Sequence, residues 1–411
     1  MPADAPYFPH QIFSPEDADP PILSRVIIFP GRYVQGPGVL DHLGRYLSLL
    51  PSKRPAILIS AGGQKRFGDR LRENLAKAGI SPRMMVFEGE CSYEAVDRMA
   101  DALKKEDKGV DAVVAVGGGK CLDAGKCVAF RCGVPVVTCP TIASTDAPCS
   151  AVSVMYTEAG VQIGVEFFPN NPVLVVVDTR IIAQSPIRHL IAGMGDALAT
   201  CYEARTNFNN AEARSIVGAR PTITALALAE LCARTVLEKG LDAVAAVSQN
   251  QVNEALEQIV EANTLLSGVG FESGGLAASH AVAEGLTVIP ALHDNYLHGE
   301  LVGVGVLTHL ILEDQRDEAG RIATFLARVG LPVHAGQLCL DLSADEGVLM
   351  EAMQKATETP LMLSEPFKVT PESLFAAFCD AHQLGMQTAA AIGDQAFGNL
   401  HGADTGKGAS R

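Results

Sequence analysis

Three separated stretches in the second half of the chain carry side chains that bind metals. Gly193-Met194-Gly195-Asp196-Ala197-Leu198-Ala199-Thr200 sets one carboxylate among small residues at the start of a helical pattern. Ser279-His280-Ala281-Val282-Ala283-Glu284-Gly285 puts an imidazole on a nearly all-apolar helix, and Leu297-His298-Gly299-Glu300 adds another 18 residues later. A carboxylate and two imidazoles suit a divalent transition metal. His293, in the Pro-containing loop between them, competes for the same role on residue type. A histidine on an apolar helix is also an ordinary core residue, and spacing along the chain does not by itself bring the three segments together.

The first half carries a different chemistry. The apolar run Ala112 to Val116 leads into Gly117-Gly118-Gly119-Lys120, and a helical pattern follows from Cys121 to Phe130. A glycine turn between strand and helix lets backbone approach a diphosphate, and the helix N-terminus offers free N–H groups and partial positive charge. Lys120 adds a full charge. The string is neither GxGxxG nor a Walker A loop, because Cys121 stands where the latter has Ser or Thr. A tight turn without a ligand would look the same. After the next apolar run comes Pro140-Thr141-Ile142-Ala143-Ser144-Thr145-Asp146-Ala147-Pro148-Cys149-Ser150. Its hydroxyls and carboxylate suit ribose, amide and polyol groups, although Ser, Thr and Asp also build plain turns. A simple connection needs only about two to six residues, so the length favours a binding loop.

Charge narrows the substrate. Neither Pro135 to Tyr156 nor Phe271 to Leu310 contains a Lys or Arg. A pocket built from these pieces holds acids, imidazoles and hydroxyls, with no cation to grip a phosphate or carboxylate, so its substrate should be neutral. Arg188 and Arg205 lie just outside the motifs and are the residues able to upset that reading.

Two kinds of element must position these groups. Short apolar runs at Val26 to Phe29, Ala56 to Ser60, Met84 to Phe87, Ala112 to Val116, Val134 to Thr138 and Val173 to Val177 alternate with helical patterns such as Gly68 to Ala78 and Tyr93 to Lys104. That alternation predicts an α/β N-terminal domain with a doubly wound parallel sheet. Beyond Asp178 the patterns are helical: Pro221 to Leu237, ending before Gly240, then Gln251 to Ser267, Gly275 to Leu286 and Pro371 to His382 with Thr370 as cap. The expected division is a flexible arm over 1–24, a dinucleotide-binding domain over 25–183, an all-α metal and substrate domain over 184–397, and a flexible tail over 398–411, with the site in the cleft between the two domains.

Composition excludes several classes. Hydrophobic residues are 48% and charged residues 19% of the chain, as in folded globular proteins. No apolar run approaches the roughly 20 residues of a membrane span. A net charge of −15 without a basic run argues against nucleic acid. Ten cysteines without a CxxC pair read as reduced thiols. The first 24 residues hold no Lys or Arg, four acids and six prolines, unlike a secretory or transit signal. A reducing, cytoplasmic location is expected.

Together GGGK, PTIASTDAPCS, GMGDALAT, VGFESGGLAASHAV and HGE resemble the glycerol dehydrogenases, a branch of the group that includes the iron-type alcohol dehydrogenases. The resemblance spans roughly residues 25 to 395. It implies zinc on Asp196, His280 and His298, leaving an open coordination position. Iron-type relatives have a further His four residues after the acid, where this chain has Thr200. It also implies NAD, with its diphosphate on the Gly117–Gly118–Gly119–Lys120 turn and its nicotinamide side lined by Thr141, Ser144, Ser150, Val152 and Tyr156. Asp146 is then the glycerol-binding acid. The implied reaction is hydride transfer from glycerol or a related vicinal diol to NAD, giving dihydroxyacetone and NADH. The resemblance further implies a homo-oligomer, often an octamer. One departure concerns the cofactor. The family's acid after the second strand, which bonds the adenosine ribose, is missing from Ser60-Ala61-Gly62-Gly63-Gln64-Lys65-Arg66. NADP is therefore not excluded, although Lys65 and Arg66 read more simply as solvated surface residues. Two rival readings fare worse. A dehydroquinate-synthase-like lyase would need cations for its phosphorylated substrate, and a scaffold protein would have no use for Asp146 beside an open ligand set.

Overall fold

Eight strands form in the first half: β1 Tyr33–Gly36, β2 Pro55–Ser60, β3 Arg83–Phe87, β4 Ala112–Gly117, β5 Val136–Pro140, β6 Val152–Tyr156, β7 Gln162–Phe167 and β8 Leu174–Asp178. Six of them make one sheet in the order β1-β8-β5-β4-β2-β3, all pairs parallel. The structure, a computed structural model, describes residues 6–15, 22–105 and 109–402. Alternate residues of each strand feed opposite cores. Ile57, Ile59, Val114 and Val116 pack on one face, while Ala56, Leu58 and Val113 pack on the other. A sheet buried on both faces explains the near-continuous apolar runs. The chain leaves β2 for β3 on one side and returns to β4 on the other. The strand order therefore reverses between the carboxyl ends of β2 and β4, where open α/β sheets bind ligands.

Nine helices bear on the site or its supports: α1 Tyr93–Lys104, α2 Gly119–Cys132, α3 Ile187–Asn209, α4 Ile223–Ser248, α5 Ser267–Gly274, α6 Ala278–Leu286, α7 His298–Leu312, α8 Arg316–Val329 and α9 Pro371–Ile392. From Ile187 onward the second half is helical and has its own core, centred on α3, α4, α6 and α7. α7 is buried from Gly299 to Ile311, as a helix apolar on every side must be.

Several expectations are corrected. Val26–Phe29 forms no strand. Arg25 instead bridges Arg220, and Ile28 N donates to Ser273 Oγ at 2.9 Å. α4 runs through Gly240 to Ser248, because that glycine serves packing: a Cβ there would stand 2.7 Å from the Phe325 ring. β6 and β7 form an antiparallel hairpin that the alternating pattern did not announce. Of the arm expected over 1–24, the described part includes a short helix, His10–Phe13, after which Ser14 Oγ donates to Gly218 O at 2.5 Å. Residues 398–401 belong to a helix, Gln395–His401, rather than to a tail, and residues 403–411 lie outside the described residues.

Candidate metal and cofactor site

Glycines bring the three metal-type segments together. Gly195 on α3 faces Gly299 on α7 so closely that a Cβ on Gly195 would lie 2.2 Å from Gly299 O. Conversely, a Cβ on Gly299 would meet Ala192 O at 1.8 Å. This backbone contact sets His298, at the start of α7, beside Asp196. Further along α3, α5 approaches through Gly270, whose Cβ would lie 2.3 Å from Thr200 Cγ2. The small-residue strings around the acid and in VGFESGG are thus the seams along which helices approach.

In the assembled cluster, Asp196 Oδ1 is 3.3 Å from both His280 Nε2 and His298 Nε2, and the two rings are 5.4 Å apart. Both Asp196 oxygens are buried without a hydrogen-bond partner. A charge-assisted bond would be about 2.7–2.9 Å, so the imidazoles stand too far off to serve as plain donors. With metal–ligand bonds of about 2.0–2.1 Å, a tetrahedral site sets its donor atoms roughly 3.3 Å apart, which both Asp196–imidazole distances match. His293, the competing ligand, is outside this cluster and pairs with the adjacent Asp294 at 3.3 Å.

Glu203 was not anticipated, and it organises His280. It accepts from Ala277 N and His280 N at 2.9 Å each and meets His280 Nδ1 at 2.6 Å. A carboxylate on Nδ1 leaves Nε2 to face Asp196, the usual arrangement of a metal-binding histidine. Burial opposes charge on His280, but Glu203 and Asp196 outweigh it and hold its pKa well above the ordinary value. Burial likewise works against an ionised Asp196, yet His298 and His280 keep that carboxyl low. The sequence carried a signal for Glu203. Asp196, Thr200 and Glu203 are spaced i, i+4, i+7 and share one helix face. Thr200 is hydrogen-bonded to Ser267 Oγ at 2.9 Å, and Ser267 donates to Asp146 Oδ2 at 3.1 Å. Thr200 and Ser267 thus form a hydroxyl relay to Asp146. Burial and the Asp196 charge push the Asp146 carboxyl up to about 7.

The glycine turn sits at the end of β4. A Cβ on Gly117 would press on Cys121 at 2.6 Å, and one on Gly118 on Ile142 at 3.0 Å, whereas Gly119 has room beside Thr145 at 3.6 Å. Cys121 points its thiol back at Val116 O and Leu58 O. Lys120 follows the turn. Its Nζ is 2.6 Å from Glu90, an acid the sequence reading passed over, and lies over the Tyr156 ring at 5.3 Å. Thr141 is buried and its N–H bonds Gly117 O at 3.0 Å; Ser144 is half-buried. Ser150 and Val152 share an unforeseen partner. Buried Lys126 donates to Ser150 Oγ at 3.3 Å and Val152 O at 2.6 Å while pairing with Asp123 at 3.0 Å. A cation therefore borders the hydroxyl loop, neutralised by its own carboxylate. Arg188 is held by Glu300 at 2.7 Å, and Arg205 lies against Tyr202 and Cys201. Lys65 and Arg66 are exposed after β2, with Arg66 Nε bonded to Gly62 O at 3.3 Å.

Comparison with known proteins identifies the family. The family model described as iron-containing alcohol dehydrogenase matches residues 30–179. A glycerol dehydrogenase of Pseudomonas putida is 45% identical over 367 residues, covering 88% of this chain and 98% of the relative. That of Thermotoga maritima is 43% identical over 359 residues, covering 87% and 97%. The crystal structure of a probable glycerol dehydrogenase from Sinorhizobium meliloti superposes with a TM-score of 0.81 at 35% identity, covering 89% of this chain and 99% of that one. Identity of this level over nearly the whole of each relative is decisive: the chain belongs to the glycerol dehydrogenases of the iron-containing alcohol dehydrogenase family.

Proposed function

We propose that the chain oxidises glycerol, and related neutral vicinal diols, with NAD, and that Asp196, His280 and His298 hold zinc. The observation that carries the reading is the pair of orphaned Asp196 oxygens facing two imidazoles beside Asp146. A zinc ion held there would act as a Lewis acid on an alcohol oxygen. Glu203 fixes the His280 tautomer, Gly195 and Gly299 fix the distance between α3 and α7, and Ser267 orients Asp146 to accept a substrate hydroxyl. The glycine turn, at the N-terminus of α2, takes the cofactor diphosphate. Thr141, Ser144, Ser150, Val152 and Tyr156 line the nicotinamide side. NAD, when bound there, would supply the hydride acceptor for the carbinol carbon, the net change being glycerol and NAD to dihydroxyacetone, NADH and a proton. The segments 25–183 and 184–397 act as cofactor and metal domains.

No helix among the described residues is long and apolar enough to cross a membrane. The β6–β7 hairpin exposes Val161, Ile163 and Val165. Such an apolar face suits contact between copies of the chain, in keeping with a homo-oligomer. The function is tested by following NADH formation from glycerol and NAD before and after chelation. Activity should vanish with the metal and return with zinc. Full turnover by metal-free protein would refute the reading.

A further inference from the structure

A second group of metal donors lies against the start of α6. His309 on α7, Glu313 just beyond it, and Glu365 ahead of α9 place donor atoms within 4.8 Å of one another. The His309 and Glu365 side chains are fully buried, and that of Glu313 is 14% exposed, which leaves a way in. His309 Nε2 faces three oxygens: Glu365 Oε1 at 3.3 Å, Thr206 Oγ1 at 3.3 Å and Glu313 Oε1 at 3.5 Å. One ring nitrogen carries at most one hydrogen and cannot satisfy three acceptors. None stands at the roughly 2.7–2.9 Å of a charge-assisted bond. The His309–Glu365 distance instead repeats the 3.3 Å found between Asp196 and its two histidines.

Two further observations point the same way. Glu365 Oε2 is buried with no hydrogen-bond partner, as are the Asp196 oxygens. On the other edge of the ring, His309 Nδ1 is 2.9 Å from Ser279 Oγ. A hydrogen on Nδ1 directed to that hydroxyl leaves the Nε2 lone pair facing the oxygens, the tautomer a metal ligand needs. The buried Glu365 carboxylate and the partly buried one of Glu313, which also accepts from Thr206 Oγ1 at 2.7 Å, lie close enough to call for a cation or a proton between them.

We propose that His309, Glu313 and Glu365 form a second divalent-cation site, separate from the reaction centre, taking zinc or a similar ion that accepts nitrogen and oxygen donors. Its place in the fold gives it a use. Glu365 Oε1 accepts from Ala278 N at 3.2 Å, and Ser279 is the residue held by His309. A cation bound there braces the two residues directly before His280, and so the start of the helix that carries a ligand of the first site. The competing account is an imidazolium paired with two carboxylates, which binds no metal.

The full-length protein is stripped with a chelator, supplied with zinc, desalted and analysed for bound metal per chain. The wild type should hold two equivalents. Asp196→Asn should hold one, as should His298→Ala, whose side chain is 46% exposed and whose loss the fold can accommodate. Adding Glu313→Gln to either variant should remove the remaining equivalent, and zinc should raise the melting midpoint of the single variants but not of the double ones. No zinc on folded Asp196→Asn or His298→Ala protein would overturn the proposal. Retention of the equivalent by the double variants would also overturn it, by placing the metal elsewhere.

Discussion

Replacing Gly195 with alanine changes one hydrogen for a methyl group at the seam between α3 and α7. The new carbon would stand 2.2 Å from Gly299 O, with Leu331 Cδ1 at 3.2 Å on another side. Carbon and carbonyl oxygen approach to about 3.3 Å at best, so the helices must part by roughly 1 Å. Forcing a packed core apart in this way costs about 1–3 kcal/mol, which a domain of this size survives. The chemistry is less forgiving. A metal site tolerates displacements of about 0.2 Å, and misplacing reacting groups by about 1 Å costs on the order of a hundredfold in rate. His298 begins the helix being displaced, while Asp196 lies on the other. Gly195→Ala should therefore fold, lose most of its zinc, and lose about a hundredfold or more in kcat/KM for glycerol. Gly303→Ala, on the facing helix α7, is the control. Its Cβ would meet Leu326 Cδ1 at 3.7 Å, an ordinary contact, and activity should stay near that of the wild type. Stoichiometric zinc and activity within about threefold of wild type in Gly195→Ala would refute the claim that backbone contact sets the ligand geometry.

Other perturbations probe other parts of the site. Glu203→Gln leaves one oxygen for three donors and should lower zinc affinity or kcat by about 10–100-fold, read by metal competition and steady-state kinetics. With Arg188, Arg205 and Lys126 each engaged by other groups, glycerol 3-phosphate should be poorer than glycerol by at least about a hundredfold in kcat/KM; equal rates would sink the neutral-substrate reading. Burial pushes the Glu272 carboxyl up to about 7, so the folded state holds its proton more tightly than the unfolded chain. Its contribution is full below about 4.5 and is lost as pH rises through 7, by at most about 3 kcal/mol. Denaturant melts of wild type and Glu272→Gln should accordingly diverge in pH slope across that window, and parallel slopes would count against it. NAD should give the higher kcat/KM of the two cofactors, and Lys65→Ala plus Arg66→Ala should leave that preference in place.

Residue type singled out Asp196, His280 and His298, but their convergence was legible only through the family resemblance. The physical cause, backbone touching backbone at Gly195 and Gly299, is a long-range contact that no local pattern encodes. Local signals succeeded where the determinant is local. Thr370 caps α9, and the glycine turn joins β4 to α2. They failed where a residue serves packing, as at Gly240, or where its partner is distant in sequence. Lys120, read as a phosphate contact, also pairs with Glu90, thirty residues away, a partner that no local pattern announces. The neutral character of the pocket was inferred from the absence of cations in two segments. Lys126 comes from a third segment, and the inference stands only because Asp123 accompanies it.

Glu203 has a consequence for how this protein can change. Proteins commonly exchange stability for activity, because functional groups are held in places the fold would rather not have them. Here one carboxylate terminates the free N–H groups at the start of α6 and also turns the His280 ring. A substitution that harms one task harms the other, and no gain in folding is available as a reward for losing function. Drift toward a stable but inactive enzyme is closed at this position, so selection for a folded chain alone is enough to preserve a piece of the active centre.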